Sequence, residues 1–366
     1  MRTRAAVVHE VGGPIVVEEL ELSPPRAGEA LVRILAAGVC HSDWHLVTGA
    51  TKHPLPAVLG HEGAGVVEAV GEGVTSVQEG DRVALNWAPY CGDCGLCRKG
   101  SPALCRTFVG PLWDGVMLDG TPRLHTLSGD PVYHYCGLAC FSERAVVPAS
   151  CCVKVPDDVP SEVAAIVGCA VTTGVGAVLN TAGVGAGESV AVFGAGGVGL
   201  STVLGARLVG ASPILVVDPA PDRRRKALEL GASAAFPPEG AVDGVLELTD
   251  GLGVDWSFEC VGHADVQRAA LGAARPGGRC VLVGLAPMGT SLELDTAQLV
   301  REEKAVLGSY YGSCDPARDL LRYAELFREG KLALDGLVTR RWQLDQIAEA
   351  YASLLAGEGA RGVVVF

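Results

Sequence analysis

The chain has 366 residues, more than one small core needs and suited to two domains at ~100–200 residues each. It is 49% hydrophobic and 19% charged, unlike a disordered chain, and its 49 glycines and 21 prolines predict many tight turns between strands. Lys and Arg number 29 against 42 Asp and Glu, a formal charge of −13, which argues against nucleic acid or an anionic membrane surface as the main partner.

Apolar stretches are interrupted by glycine, proline or charge before they reach ~18 residues, so no bilayer span is expected. Residues 1–10 lack the long apolar core of a secretory signal, and a cytoplasmic protein is expected. The 13 cysteines are an odd number in a long chain, unlike a secreted disulfide scaffold. In a reducing compartment clustered thiols read better as metal ligands.

Residues 1–170 are rich in short valine-containing runs such as 30–35 and 65–70, separated by Gly/Pro turns, and predict a mostly β region. Two early positions carry chemistry. Cys40 lies in Gly38-Val39-Cys40-His41-Ser42-Asp43-Trp44-His45, and His61 with Glu62 lies in Gly60-His61-Glu62-Gly63. Next comes Cys91, Cys94, Cys97 and Cys105, a C-x2-C-x2-C-x7-C pattern with glycines for turns. Four thiolates so close can surround one tetrahedral zinc, leaving no open position, so the site would be structural. A ferredoxin run is a rival, but its last spacing differs and a proline should follow the last cysteine, where Arg106 stands here. Unligated thiols are the third reading. Further on, Cys169 sits in Gly168-Cys169-Ala170-Val171-Thr172-Thr173-Gly174. Cys40, His61 and Cys169 would make Cys2His, a set that leaves a fourth position for water or substrate. Singly, each also reads as an ordinary buried cysteine or structural histidine.

Ser189–Phe193 predicts a buried strand that feeds Gly194-Ala195-Gly196-Gly197-Val198-Gly199, a G-x-G-x-x-G. A helix follows over 200–209, with Leu200, Val203, Leu204 and Leu208 on one face, then a strand over 214–217 ending at Asp218. This order is that of a dinucleotide fold: Gly194, Gly196 and Gly199 allow the turn, the pyrophosphate approach and the helix–strand packing. Gly197 stands at the helix start, where backbone N–H groups face phosphate. Asp218 can accept hydrogen bonds from the adenosine ribose and would repel a 2′-phosphate, favouring NAD over NADP. Arg223-Arg224-Arg225-Lys226 complicates this; it fits the exposed start of a helix, and Arg223 is the candidate for a ribose contact. Strands over 254–260 and 279–284 extend a doubly wound parallel sheet, giving an α/β fold overall.

Taken together, Gly60–Val67, Gly71-Glu72-Gly73-Val74, Gly80-Asp81-Arg82-Val83, the four-cysteine loop and Gly194–Gly199 resemble the zinc-dependent medium-chain alcohol dehydrogenases over essentially the whole chain. The resemblance implies a GroES-like β-rich catalytic domain at 1–170 and 310–366, holding both zincs, and an NAD-binding Rossmann domain at 171–309. It raises Cys40, His61 and Cys169 to ligands of a catalytic zinc, with a second, structural zinc at the four cysteines. Residues 119–143 look like the extended loop of the animal and plant type, which implies a homodimer.

Roles follow by the same resemblance. Ser42 takes the proton from the alcohol, and it passes by way of the nicotinamide ribose to His45 and out. Asp43 orients His61, and Glu62 shapes the field near the zinc. His41 and Arg361 contact the pyrophosphate, Thr173 belongs with the cofactor contacts, and Trp87 and Tyr135 line the substrate pocket. The implied reaction is reversible hydride transfer between a primary alcohol, medium-length or aromatic, and NAD. Three alternatives stand beside it. A glutathione-dependent formaldehyde dehydrogenase would carry arginine where Val109 stands. A zinc-free reductase of the same superfamily would lack the ligands. A non-catalytic zinc-binding protein would leave the G-x-G-x-x-G unit unexplained.

Overall fold

The computed structural model describes all residues from Met1 to Phe366. The chain divides into two compact units: Met1–Cys169 with Asp315–Glu329 and Val338–Phe366, and Ala170–Cys314 with Gly330–Leu337.

The first unit is mostly β-strands, with helices such as His41–Val47 and Ile347–Leu355 against them. Arg2–Val8, Ile15–Leu22, Leu124–His125, Pro131–His134 and Ala57–Val58 close into a barrel. Its interior is filled by Val7, Leu20, Leu22, Val58, Leu124 and Val132, each at most 1% exposed. Burying a side chain of this size is worth ~1.5–3 kcal/mol. The other sheet runs Cys152–Lys154, Arg82–Leu85, Gly63–Val70, Glu29–Val39, Arg361–Val365, Val338–Gln343, and Arg144–Pro148 also pairs with Glu29–Val39. Its register positions the site. Ala37 pairs with Gly63 and Val39 with Gly362, both antiparallel. The residues one step beyond these pairs, Cys40, Glu62 with His61, and Arg361, therefore come to the same end of the sheet. Gly38 makes this possible, because a Cβ there would collide with the Glu62 carboxylate.

The second unit carries six parallel strands in the order Ala234–Phe236, Ile214–Val217, Val190–Phe193, Val254–Glu259, Ala274–Leu282, Ala305–Gly308. Such strands read as continuous apolar runs because helices cover both faces. Val190–Phe193 leads into helix Gly197–Leu208, and Gly199 lies against the Gly194 carbonyl, where a Cβ would clash. That is the close helix–strand approach expected of the third glycine in the motif.

One feature departs from the sequence reading. Ser161–Ala182 is a continuous helical run of 22 residues, with the length and apolar composition of a membrane span but mostly buried inside the protein. Gly168, Gly174 and Gly176 do not break it. Each costs ~1 kcal/mol against alanine, and packing of the buried run overrides that preference.

Candidate active site

Cys40 follows the end of strand Glu29–Val39, His61 and Glu62 precede strand Gly63–Val70, and Cys169 lies in a π-helical turn, Val167–Val171. Such turns re-aim side chains and recur at functional sites. The ligand atoms of Cys40, His61, Glu62 and Cys169 lie within 4.8 Å of one another, and all four residues are buried.

The surroundings fix this cluster. Asp43 Oδ1 accepts from the Gly60 N–H at 2.9 Å and lies 3.1 Å from His61 Nδ1. The bond to Asp43 places the imidazole proton on Nδ1 and leaves Nε2 as the electron-pair donor. The His61 ring meets Tyr135 and Trp87 edge-on, with centroids at 5.7 and 6.4 Å. Tyr135 Oη donates to the Ser42 carbonyl at 2.7 Å, and Ser42 Oγ is 3.7 Å from Cys40 Sγ. The Glu62 carboxylate is clasped by Arg361 through both Nε and Nη2. Arg361 is buried there, on the carboxylate, whereas the sequence reading directs it to a pyrophosphate. Nothing in the residue order signals this pairing across 299 positions; it depends on strand register.

The neighbours of each ligand set its protonation. The hydrogen bond from Cys169 holds the Cys40 thiol well below its ordinary pKa, against burial and with help from the Arg361 and His61 charges. The same bond, then burial, pushes Cys169 up. Burial works against the His61 imidazolium, but the charges of Asp43 and Cys40 outweigh it and raise that pKa. A divalent ion resolves this, since thiolate ligands are stabilised by coordination. The donor set Cys40, His61 and Cys169 is that of a catalytic zinc, and Glu62 stands as a further oxygen donor.

The four-cysteine loop fits zinc by a different measure. Its sulfur–sulfur distances are 3.5 Å for Cys94–Cys97, 3.6 Å for Cys91–Cys105, 3.9 Å for Cys94–Cys105 and 4.0 Å for Cys91–Cys97. A tetrahedron of Zn–S bonds near 2.3 Å requires ~3.8 Å. All four are free thiols. Cys91 is lowered to about 6, first by the Thr107 hydroxyl, whereas burial and the bond with Cys94 push Cys97 to about 12. Crowded sulfurs cannot all ionise alone, and a cation allows it.

The remaining predicted residues are spread over both units. On helix His41–Val47, Asp43 is buried, Ser42 and His45 are half-buried, and His41 is exposed. Ser42 and His45 are three apart, so they share one face of the helix. In the second unit Thr173 is buried in helix Thr172–Gly176. The N-terminus of helix Gly197–Leu208 has no side-chain cap, leaving its backbone N–H groups for an anion. Asp218 accepts from the Ala195 N–H at 2.7 Å and the Ala220 N–H at 2.8 Å, and each oxygen keeps a lone pair. Arg223 has a buried Nε with no hydrogen-bond partner, and its neighbour Arg224 donates to the Asp218 carbonyl. An uncapped helix start, a carboxylate with spare lone pairs and an orphan guanidinium nitrogen fit a dinucleotide.

A fold of this kind with these two ligand clusters defines a zinc-binding dehydrogenase. Residues 26–157 match the family described as alcohol dehydrogenase GroES-like domain, and residues 197–327 match zinc-binding dehydrogenase. The chain is 42% identical to an NDMA-dependent alcohol dehydrogenase of Amycolatopsis methanolica, over 100% of this chain and 99% of that protein. It is 39% identical to an S-(hydroxymethyl)glutathione dehydrogenase of Paracoccus denitrificans, over 100% of both. The crystal structure of benzyl alcohol dehydrogenase from Acinetobacter calcoaceticus superposes with a TM-score of 0.94 at 32% identity, over 100% of this chain and 99% of that one. The chain belongs to the zinc-dependent medium-chain alcohol dehydrogenase family, with a GroES-like and a Rossmann domain, and is an oxidoreductase of that family.

Proposed function

We propose that the protein interconverts primary alcohols and aldehydes with NAD, using one zinc at Cys40, His61 and Cys169 and one at the four-cysteine loop. The observation that carries this is the buried Cys2His cluster, with Asp43 behind His61 and the Ser42 hydroxyl beside Cys40. Bound there, zinc supplies Lewis-acid polarisation of the alcohol oxygen, and NAD supplies the hydride acceptor.

The chain's own residues do the rest. Asp43 holds the His61 ring with Nε2 toward the cluster. The Ser42 hydroxyl would accept the alcohol proton as it releases its own toward His45, which lies on the same helix face and carries it outward. Arg361 neutralises Glu62, so the buried carboxylate does not compete with the developing alkoxide as an unpaired charge. The uncapped helix start supports a dinucleotide pyrophosphate, and Asp218 supports NAD in preference to NADP. Trp87 and Tyr135 place two large aromatic rings around His61, which favours medium-length or aromatic alcohols. Each added CH2 buried against such walls gains ~0.8 kcal/mol. The relatives support an alcohol or aldehyde substrate, and the same reading makes the protein a cytoplasmic homodimer.

The relative named for S-(hydroxymethyl)glutathione favours a second reading, a thiol adduct of formaldehyde as substrate. Against glutathione, Val109 is apolar and 48% exposed on helix Arg106–Trp113, where a carboxylate grip is required. The test is zinc analysis with NADH formation on an alcohol panel, including benzyl alcohol, ethanol, and formaldehyde with and without glutathione. Benzyl alcohol should exceed ethanol, glutathione should add nothing, and Ser42→Ala should nearly stop oxidation. Full activity without zinc, or strict dependence on glutathione, would overturn the reading.

A further inference from the structure

We propose that Tyr351 is a positioning residue for the catalytic metal: its hydroxyl donates to Asp43 Oδ2, making Tyr351, Asp43 and His61 one hydrogen-bonded chain that ends at a metal ligand. This rests on the zinc reading of the Cys40, His61 and Cys169 cluster, and it assigns a role to a residue far from all of them in sequence.

Two buried atoms without a partner carry the inference. Asp43 is completely buried, and both donors that reach it, the Gly60 N–H and His61 Nδ1, use Oδ1. Asp43 Oδ2 has no hydrogen-bond partner, and neither does the Tyr351 hydroxyl, in a residue 1% exposed. A buried carboxylate oxygen and a buried hydroxyl are each costly alone, and each is what the other lacks. The ring is held where this pairing needs it. Tyr351 lies on helix Ile347–Leu355 and stacks on Trp44 with centroids 5.5 Å apart and planes at 29°. Its other contact is edge-on with Phe141, at 6.2 Å and 85°. Trp44 is the residue after Asp43 on helix His41–Val47, so the stack brings the phenol to the segment that carries the carboxylate, close enough to feel its charge.

The electrostatics agree with the geometry. Burial, followed by the charges of Asp43 and Cys40, keeps the phenol pKa well above its ordinary value. The hydroxyl therefore stays neutral and donates. Packing alone needs only a phenylalanine here, since the stack and the edge contact use the ring. The oxygen is explained by the carboxylate. With Oδ2 held, the carboxylate cannot rotate, and Oδ1 stays on the Gly60 N–H and His61 Nδ1. Partners one shell beyond a metal's ligands change its affinity by ~10–100-fold, and a residue acting through such a partner should lie at the low end.

The test uses the full-length zinc-loaded protein and Tyr351→Phe, which keeps the ring and its packing. Release of each zinc to excess dipicolinate is followed with a chromogenic zinc indicator, together with kcat, KM and Tm. One zinc should leave about 10-fold faster in Tyr351→Phe and the other at the wild-type rate. In an Asp43→Asn background the same substitution should change zinc release less than 2-fold, because the carboxylate that receives the hydroxyl is gone. In the cobalt-substituted protein the visible bands of the faster-exchanging site should shift with Tyr351→Phe. Unchanged release of both zincs would overturn the proposal. Equal acceleration of both, or the full effect persisting in Asp43→Asn, would reassign Tyr351 to packing. A wild-type protein with no zinc at the Cys40 cluster is a separate failure, that of the zinc reading, and metal analysis of Cys169→Ser beside wild type identifies it.

Discussion

Two groups of metal-ligating side chains lie in the first unit, and they are built in opposite ways. Cys91, Cys94, Cys97 and Cys105 come from fifteen consecutive residues, with Cys91 exposed and Cys94 and Cys97 half-buried. No buried apolar residue lies between Cys91 and Cys97, so little besides a metal holds that segment in shape. Cys40, His61 and Cys169 come from distant parts of the chain and are all buried. Sheet register, the Asp43 carboxylate and the flanking rings of Trp87 and Tyr135 position them. A local cluster depends on its ion for shape, whereas the assembled cluster has its shape imposed by the fold. Losing an ion should therefore unfold a loop in one case and remove chemistry from an intact frame in the other.

The largest expected effect breaks the comparison at the assembled site. Cys169→Ser should lower turnover by at least ~10³, since Lewis-acid stabilisation is worth several kcal/mol and each 1.36 kcal/mol is tenfold in rate. Circular dichroism and Tm should stay close to wild type. A fall in stability comparable to the fall in activity would show that the frame is not independent of its metal. Cys97→Ser is the reciprocal change. One zinc should be lost and Tm should fall by ~5–10 °C, at ~2–4 °C per kcal/mol, while kcat of the folded fraction is retained. Metal analysis with differential scanning calorimetry checks both. A Cys97→Ser protein that keeps both zincs and its Tm would remove the distinction.

The same contrast explains what could be read in the sequence. The four-cysteine spacing announces its site because all its ligands share one loop, and spacing there is close to geometry. The dinucleotide unit was legible for a similar reason: strand, Gly194–Gly199, helix and Asp218 are consecutive. Cys40, His61 and Cys169 could be listed from their glycine-flanked settings, but only a resemblance joined them, because register between strands is not written in any local run. The Arg361–Glu62 pair stayed hidden for that reason, as did Tyr351 beside Asp43. The continuity of helix Ser161–Ala182 is not visible in its sequence, where glycines interrupt the apolar run, since local propensity carries no information about the packing that keeps it whole.

A smaller effect sharpens the comparison through pH. His134, next to Tyr135 in sequence, is fully buried, and its Nε2 accepts the Arg123 N–H at 2.9 Å. Burial, aided by the nearby Arg123 charge, lowers its pKa to about 3. The unfolded chain binds a proton at this histidine below ~6.5 and the folded protein does not, so stability falls as pH drops from 6.5 toward 3. At pH 5 the loss from this group is ~2 kcal/mol, at 1.36 kcal/mol per pH unit below the unfolded value. Urea denaturation at pH 7 and pH 5 should show His134→Gln narrowing the gap by that amount, with the glutamine oxygen replacing Nε2 as acceptor. Cys97→Ser should narrow the gap separately, because zinc held by thiolates competes with protons at lower pH, and the two effects should add. A gap that Cys97→Ser narrows and His134→Gln does not would place the pH sensitivity in the loop.

The smallest effect tests how far the imposed frame extends toward solvent. Ser42 and His45 share a helix face, but Ser42 sits beside Cys40 whereas His45 is half-buried with no fixed acceptor for its ring. A proton carrier at the edge of a site can be replaced by water, and one at its centre cannot. His45→Gln should therefore lower alcohol oxidation only ~3–10-fold near neutral pH, below the range typical of an essential acid–base group. The defect should shrink as pH rises, because hydroxide and buffer base then collect the proton directly. Added imidazole should restore part of the rate in His45→Gln and none of it in Ser42→Ala, since small bases reach the edge of the frame and not its centre. A pH–rate series of both variants with and without imidazole measures this. A His45→Gln defect that is large, constant with pH and insensitive to imidazole would mean that the histidine is held as firmly as the metal ligands. The boundary between imposed geometry and solvent would then lie outside helix His41–Val47 and not along it.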